Sequence, residues 1–189
     1  MSGIPEFLDS RKGFFHWRIA VYLIVRCQES LIHMAKLNEA MKRVVGEQRL
    51  GFMATVCEDG TPNLSPKGLT FVLDDDHLVI GEVRSPGTIS NLATRPTAEI
   101  NVVDPIARKG FRFKGDCRVY AKGAEFEELV AFLRSQGAKS HIRSVIVMTV
   151  ERIHPLISPV YDSGTTEQEV RKRQMERLHE LNKDLSNDA

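Results

Sequence analysis

Residues 50–73 decide the fold, and they read Leu-Gly-Phe-Met-Ala-Thr-Val-Cys-Glu-Asp-Gly-Thr-Pro-Asn-Leu-Ser-Pro-Lys-Gly-Leu-Thr-Phe-Val-Leu. The apolar run at 50–56 is rich in strand-forming residues, and a second strand is expected over 63–73. Asp59-Gly60 lies between them and is a strong hairpin-turn signal. The regular part of the chain therefore contains an antiparallel hairpin.

Further short strands follow this hairpin, with only a few helices between them. Because the pattern lacks regular strand–helix alternation, it predicts a mainly β, α+β fold built on a closed antiparallel barrel of six strands with peripheral helices. The remaining strands are expected at 77–83, 97–103, 110–121 and 144–150, the last continuing toward Ile157, and helices at 37–45, from Ser85 to near Pro96, and at 126–133.

Composition and charge exclude several classes of function. The 26 Lys and Arg nearly cancel the 25 Asp and Glu, so a nucleic-acid coat is not expected. Three cysteines without a Cys-x-x-Cys pair predict a reduced, cytoplasmic protein. Six scattered histidines give no metal-binding motif, so no metal is expected. Hydrolase elbows, phosphate loops and Rossmann glycine motifs are also absent from the sequence.

The two ends of the chain differ from its middle. Residues 1–36 form an N-terminal extension that is interpreted as a packed helix, a weak interfacial anchor, or a segment foreign to the folded unit. Its apolar run, Ile19–Val25, has seven residues, whereas an integral membrane span needs about 20. Residues 166–189 predict a charged helix, either solvated against the domain or binding a partner.

Two stretches could form a ligand site. In residues 65–69, Ser-Pro-Lys-Gly-Leu, a Pro marks an irregular or edge strand, and a Gly lets a planar ligand approach the backbone. In residues 84–88, Arg-Ser-Pro-Gly-Thr, a strand ends at a helix N-terminus whose amides, hydroxyls and guanidinium could hold a phosphate. The alternatives are an ordinary edge strand with a solvated Lys67, and a helix start capped by Ser85.

A third stretch, Arg108–Gly115, holds four cations and no acid. In a strand, Arg112 and Lys114 share one face while Phe111 and Phe113 point to the other. This pattern predicts an anion site or, alternatively, a polar outer strand face. Binding of single-stranded nucleic acid is disfavoured, because rings and cations on opposite faces cannot stack on bases and contact phosphates together.

These stretches, in this order, resemble the FMN-binding split-barrel proteins related to pyridoxamine 5′-phosphate oxidase. The resemblance covers residues 37–165 and is nearest to their small flavin-nucleotide-binding branch. The matching segments are Leu50–Thr55, Asp59–Asn63, Ser65–Gly68, Arg84-Ser85, Asn91-Leu92, Arg95-Pro96, Asn101–Pro105, Gly110–Gly115 and Ser158–Asp162.

The resemblance implies a six-stranded split barrel that forms a homodimer with two FMN sites at its interface. It places FMN against Pro66, Lys67, Gly68 and Leu69, with Lys67 near the flavin. It further implies a phosphate site formed by Arg84, Ser85, Thr88 and Asn91, with Arg112 and Lys114 lining the same site from one subunit or the other.

The chain departs from the oxidase in two places. It has no Trp after residue 160, where the oxidase has an Arg- and Trp-containing segment, and it has Pro86 and Gly87 in place of basic residues. Oxidation of pyridoxamine phosphate is therefore not expected, whereas FMN binding is. The expected function is that of an FMN-dependent oxidoreductase with a small-molecule redox substrate and Tyr161 as a candidate neighbour of the site. The alternatives are a non-catalytic flavin-binding, storage or sensor module, and a reductase that uses a deazaflavin coenzyme.

Overall fold

A computed structural model describes residues 35–183 of the chain. Within this range, seven strands form one curled antiparallel sheet, and four α-helices lie around it. The strands are β1 (Gly51–Val56), β2 (Pro62–Lys67), β3 (Thr70–Val72), β4 (His77–Glu82), β5 (Thr97–Asp104), β6 (Lys109–Tyr120) and β7 (Ser144–Ile157). The helices are α1 (Glu39–Gln48), α2 (Pro86–Thr94), α3 (Ala124–Ser135) and α4 (Glu167–Leu181), and a 3-10 turn spans Pro159–Tyr161.

The strand order is β2-β1-β5-β6-β7-β4-β3, and every neighbouring pair is antiparallel. This confirms the predicted split barrel with peripheral helices, but the predicted count of six strands is wrong. The strand expected over 63–73 divides at Gly68-Leu69, because β2 pairs with β1 while β3 pairs with β4. One continuous stretch of sequence thus supplies both edge strands of the sheet.

The β1–β2 hairpin closes through the predicted Asp-Gly turn. Gly60 has a φ of 85°, a conformation that residues with a Cβ rarely adopt. The Asp59 carboxylate accepts hydrogen bonds from the Thr61 amide at 2.9 Å and the Thr61 hydroxyl at 2.6 Å. These contacts fix the register that places Lys67 opposite Gly51 at the far end of the hairpin.

The barrel interior is filled by alternate residues of the strands, including fully buried Met53, Ile80 and Phe113. Helix α1 packs on this core through Val45, which is also fully buried. Burial of each such side chain contributes about 1.5–3 kcal/mol. Helix α3 packs Leu133 into a second apolar cluster on β3, β4 and β7.

The predicted charged helix at 166–189 is present as α4, and residues 184–189 lie outside the described part. It begins with a capping box in which Thr166 and Glu169 each accept from the other's backbone amide. Val170 is buried on the domain, whereas Leu178 and Leu181 are exposed. The predicted N-terminal extension lies outside the described residues except for positions 35 and 36. Among the described helices, none is long and apolar enough to cross a bilayer.

Candidate functional site

A cleft of about 420 Å³ lies between the β2–β3 connection and the β4–α2 connection. It brings together two of the three stretches that the sequence singled out, because the split of the predicted second strand turns residues 65–69 toward residues 84–85. The lining residues are Ser65, Pro66, Lys67, Gly68, Leu69, Gly81, Val83, Arg84, Ser85 and Ser140.

Lys67 is a buried cation on the wall of this cleft, with only 3% of its surface exposed. Its ammonium donates to the hydroxyls of Ser65 at 2.8 Å, Ser85 at 2.5 Å and Thr88 at 3.5 Å. Burial lowers the pKa of Lys67 below its ordinary 10.5, while the charge of Glu82 acts in the opposite direction. Among the described residues, no carboxylate forms an ion pair with it.

Ser85 is the residue before the first turn of α2, but its side chain does not cap the helix. Its amide and its hydroxyl both donate to Glu82 Oε1, the hydroxyl at 3.0 Å. The first-turn amides of α2 therefore have no side-chain cap, and they carry the positive end of the helix dipole. The predicted alternative of a Ser85-capped helix is wrong on this point.

Arg84 and Gly68 form the open parts of the cleft. Arg84 is exposed and lines the cleft beside Ser85. A Cβ added at Gly68 would meet no atom within 4 Å, so the backbone there is accessible to a flat ligand. The chain thus offers one exposed guanidinium and one exposed stretch of backbone at a small cleft.

Thr88 and Asn91 belong to a buried polar group behind the cleft rather than to its lining. The Asn91 amide donates to Thr55 Oγ1 at 3.0 Å, and the Asn63 amide donates to Thr55 Oγ1 at 3.0 Å and to Thr88 Oγ1 at 3.3 Å. These bonds fix α2 against the β1–β2 hairpin. Sequence reasoning gave no role to Thr55, Asn63 or Glu82, although Thr55 and Asn63 lie within segments of the family resemblance.

Arg112 and Lys114 lie on the opposite face of the sheet from Lys67. Paired residues in neighbouring strands share a face. One row joins Lys67, Gly51, Val102 and Phe111, and the next joins Pro66, Phe52, Asn101 and Arg112. The outer face of the sheet is the face that carries the second row. It also carries every alternate row parallel to that one, including the row of Lys114.

Two of the four cations in the third stretch are already paired within the chain. Arg112 contacts Glu99 at 3.1 Å, and Lys109 contacts Glu167 at 2.9 Å. One chain therefore does not bring Arg112 and Lys114 to the lining of the Lys67 cleft. Within a single chain, β6 therefore fits the alternative drawn from the sequence, a polar outer strand face.

Tyr161 ends the 3-10 turn after β7, packs against the β5–β6 turn and does not line the cleft. Its hydroxyl donates to the Ala107 carbonyl at 2.6 Å, and the Lys109 ammonium lies 4.2 Å from its ring centroid. Its role in the described chain is therefore to brace that turn. Between residues 35 and 183, no three His, Cys, Asp or Glu side chains group as metal ligands.

The sequence profile of the pyridoxamine 5′-phosphate oxidase family matches residues 37–156. The chain belongs to this family. The resemblance inferred from the ordered segments is thereby confirmed, and the family region contains every residue of the cleft. No curated protein matches the sequence significantly.

Solved structures with the same fold include relatives of different kinds. The crystal structure of HupZ from group A Streptococcus is 30% identical, with a TM-score of 0.58 over 65% of this chain and 95% of that chain. An FMN-binding protein from Syntrophomonas wolfei is 13% identical, with a TM-score of 0.53 over 75% and 96%. An F420 reductase is 16% identical, with a TM-score of 0.50 over 62% and 98%. The last two show the fold alone.

Proposed function

We propose that this chain binds FMN in the Lys67 cleft and acts as a flavin-dependent oxidoreductase on a small-molecule redox substrate. The observation that carries the proposal is the buried ammonium of Lys67, held by three hydroxyls beside an uncapped helix N-terminus and unpaired with any described carboxylate. A buried cation in this state favours an anion at the cleft mouth.

The residues present fit a flavin phosphate at one end of the cleft. Arg84 would contact the phosphate directly, because its guanidinium is exposed at the lining. The first-turn amides of α2 would donate hydrogen bonds to the remaining phosphate oxygens. Lys67 would act through its field, since its three N–H groups already donate to hydroxyls.

The ring system would lie along Pro66–Leu69, where the backbone at Gly68 is open. A volume of about 420 Å³ falls within the range of about 300–1,000 Å³ that small-molecule pockets occupy. Bound FMN would supply hydride-transfer chemistry. The residues of this chain would bind it, orient it and exclude water from one of its faces.

A second copy of the chain would complete the site. The outer face exposes Phe52, Val56 and Leu64, the last with 66% of its surface accessible, and it also carries Pro66, which lines the cleft. A two-fold axis through this face would pack the apolar residues together and bring the partner subunit's Arg112 and Lys114 toward the cleft. Changing Leu64 to Glu should then yield a monomer with weakened flavin binding, whereas an unchanged dimer would contradict this arrangement.

One observation favours the non-catalytic alternative, a flavin-binding, storage or sensor module. The cleft lining contains no His, Asp, Glu, Cys or Tyr, so the described chain offers no acid or base there apart from Lys67. The two functions separate in one assay, in which bound flavin is reduced anaerobically and its reoxidation is followed with and without a panel of acceptors. Turnover with an acceptor supports the oxidoreductase, and reoxidation at the rate of free flavin supports the module.

The test of flavin binding itself uses the purified full chain. A visible spectrum with flavin bands, and a ligand of FMN mass in native mass spectrometry, are expected after incubation with FMN. A deazaflavin coenzyme in place of FMN would support the deazaflavin-dependent reductase. A colourless protein that takes up neither ligand would contradict the proposal.

A further inference from the structure

Glu82 is a buried carboxylate behind the cleft for which neither the motifs nor the family resemblance provides a role. Only 4% of its surface is exposed, and it does not line the cleft. Its Oε1 accepts from the amide and hydroxyl of Ser85, and its Oε2 accepts from the Ser144 hydroxyl at 3.5 Å. A carboxylate excluded from water in this way is held by a specific set of donors.

The hydrogen bonds around Ser85 have only one consistent direction. Lys67 can only donate, and the Glu82 carboxylate can only accept. The single proton of the Ser85 hydroxyl therefore goes to Glu82, while its oxygen accepts from Lys67. The result is a relay, Lys67 to Ser85 to Glu82, that fixes the Ser85 side chain from both sides.

This relay explains why Ser85 leaves α2 uncapped. A Ser in that position ordinarily accepts from the amide of the second or third helical residue, here Gly87 or Thr88. Because Glu82 holds both the amide and the hydroxyl of Ser85, the hydroxyl is kept out of the capping position. The first-turn amides stay available to a ligand, and the Ser85 oxygen keeps accepting from the Lys67 ammonium beside them.

We propose that Glu82 is a positioning residue that sets the preference of this site for a phosphorylated ligand, acting through Ser85. The inference rests on the proposed flavin function and adds to it a residue that determines specificity. It predicts that Glu82 affects the phosphate end of FMN and not the ring, so riboflavin, which has the same ring without the phosphate, is the matched probe.

The test measures the dissociation constants of FMN and riboflavin for the full chain and its variants. Glu82→Ala should lower the preference for FMN over riboflavin about tenfold, the usual scale of one lost charge-assisted hydrogen bond, with riboflavin binding unchanged. Glu82→Gln keeps an acceptor for Ser85 and should stay within about threefold of the wild type. Glu128→Ala, an exposed Glu on α3, is the control and should change nothing.

A double-mutant cycle with Ser85→Ala tests the route of the effect. If Glu82 acts through Ser85, the double variant should show the same preference as Ser85→Ala alone. If Glu82→Ala does not fold, Glu82→Asp replaces it in the cycle. Glu82→Asp retracts the carboxylate by one methylene and should still lower the preference for FMN over riboflavin.

Four results would overturn the inference. Additive effects in the cycle would show that Glu82 acts independently of Ser85, and unchanged affinities for both flavins would show that it has no role in recognition. Equal losses for FMN and riboflavin would indicate a purely structural role, and tighter FMN binding would identify Glu82 as a competitor of the phosphate. A wild type without preference for FMN would instead refute the phosphate site of the proposed function.

Discussion

Lys67 and Lys109 are basic residues that the fold places in different environments. The Lys67 ammonium is buried among three hydroxyls at the cleft and forms no ion pair with a described residue. The Lys109 ammonium is half-exposed, contacts Glu167 at 2.9 Å and lies over the Tyr161 ring. The positive charge of Lys67 can therefore attract an anionic ligand, whereas Glu167 largely cancels the charge of Lys109.

The region around Lys109 is a closed network that attaches α4 to the barrel. Arg171 contacts Asp104 at 2.7 Å and Glu167 at 2.9 Å, and Glu167 in turn contacts Lys109. Asp104 also accepts from the amides of Ile106 and Ala107, at 2.8 and 3.0 Å. Two acids meet two bases here, so a cluster of cations in the sequence indicates an anion site only where the fold leaves the cations unpaired.

The largest expected effect on function comes from Arg84 at the cleft. Arg84→Ala should weaken FMN binding about ten- to hundredfold, because a direct charge-assisted phosphate contact contributes about 1.5–3 kcal/mol. The free energy of unfolding should change little, since Arg84 is exposed. Equilibrium titration and urea unfolding measure the two quantities. Full retention of FMN affinity would place the phosphate elsewhere.

The matching change in the α4 network should affect stability and not binding. Asp104→Ala removes the acceptor for two turn amides and the partner of Arg171, and should lower the free energy of unfolding by about 2 kcal/mol. FMN affinity should stay at the wild-type value in the folded variant. A loss of flavin binding without a loss of stability would reverse the roles assigned to the two regions.

Gly68 offers a steric test of the cleft alone. Gly68→Val should weaken FMN binding about tenfold, because its side chain would project into space that contacts no other part of the chain. Gly46→Ala is the matched control, since a Cβ there also meets nothing within 4 Å. It should leave FMN binding unchanged and slightly raise stability, as Ala favours the α1 helix. Equal FMN affinity in both variants would show that no ligand lies against Gly68.

The smallest expected effect is the pH dependence that Lys67 contributes. Because burial holds its pKa below 10.5, the unfolded chain binds more protons at this residue than the folded chain does between the lowered pKa and 10.5. Its contribution to the free energy of unfolding therefore rises with pH across that window. FMN affinity should fall over the same window as the ammonium loses its proton. Unfolding curves and FMN titrations of wild type and Lys67→Met measure both trends, and parallel pH profiles would contradict them.

The sequence predicted the parts of the fold that depend on local signals. Asp59-Gly60 fixed the hairpin, short runs rich in strand-forming residues located the strands, and Ser85-Pro86 marked the start of α2. The division of the strand expected over 63–73 could not be predicted locally. Residues 69–73 remain strand-forming in composition, and only pairing with a different neighbour separates β3 from β2.

Two of the stretches singled out in the sequence line one cleft, and their role in binding FMN stays a prediction. Residues 65–69 and 84–85 meet there as expected. Arg112 and Lys114 do not reach that cleft in one chain, because the face on which they lie depends on register across four strands. Glu82 was missed because a single acid at the end of an apolar strand gives no signal until its contact with Ser85 is known.

A parallel titration of the wild-type chain with FMN and riboflavin tests the anion site directly. The buried Lys67, the exposed Arg84 and the uncapped start of α2 predict that FMN binds at least about tenfold more tightly, because only FMN carries the phosphate. Equal affinity for the two flavins, or no binding of either, would contradict an anion site in this cleft.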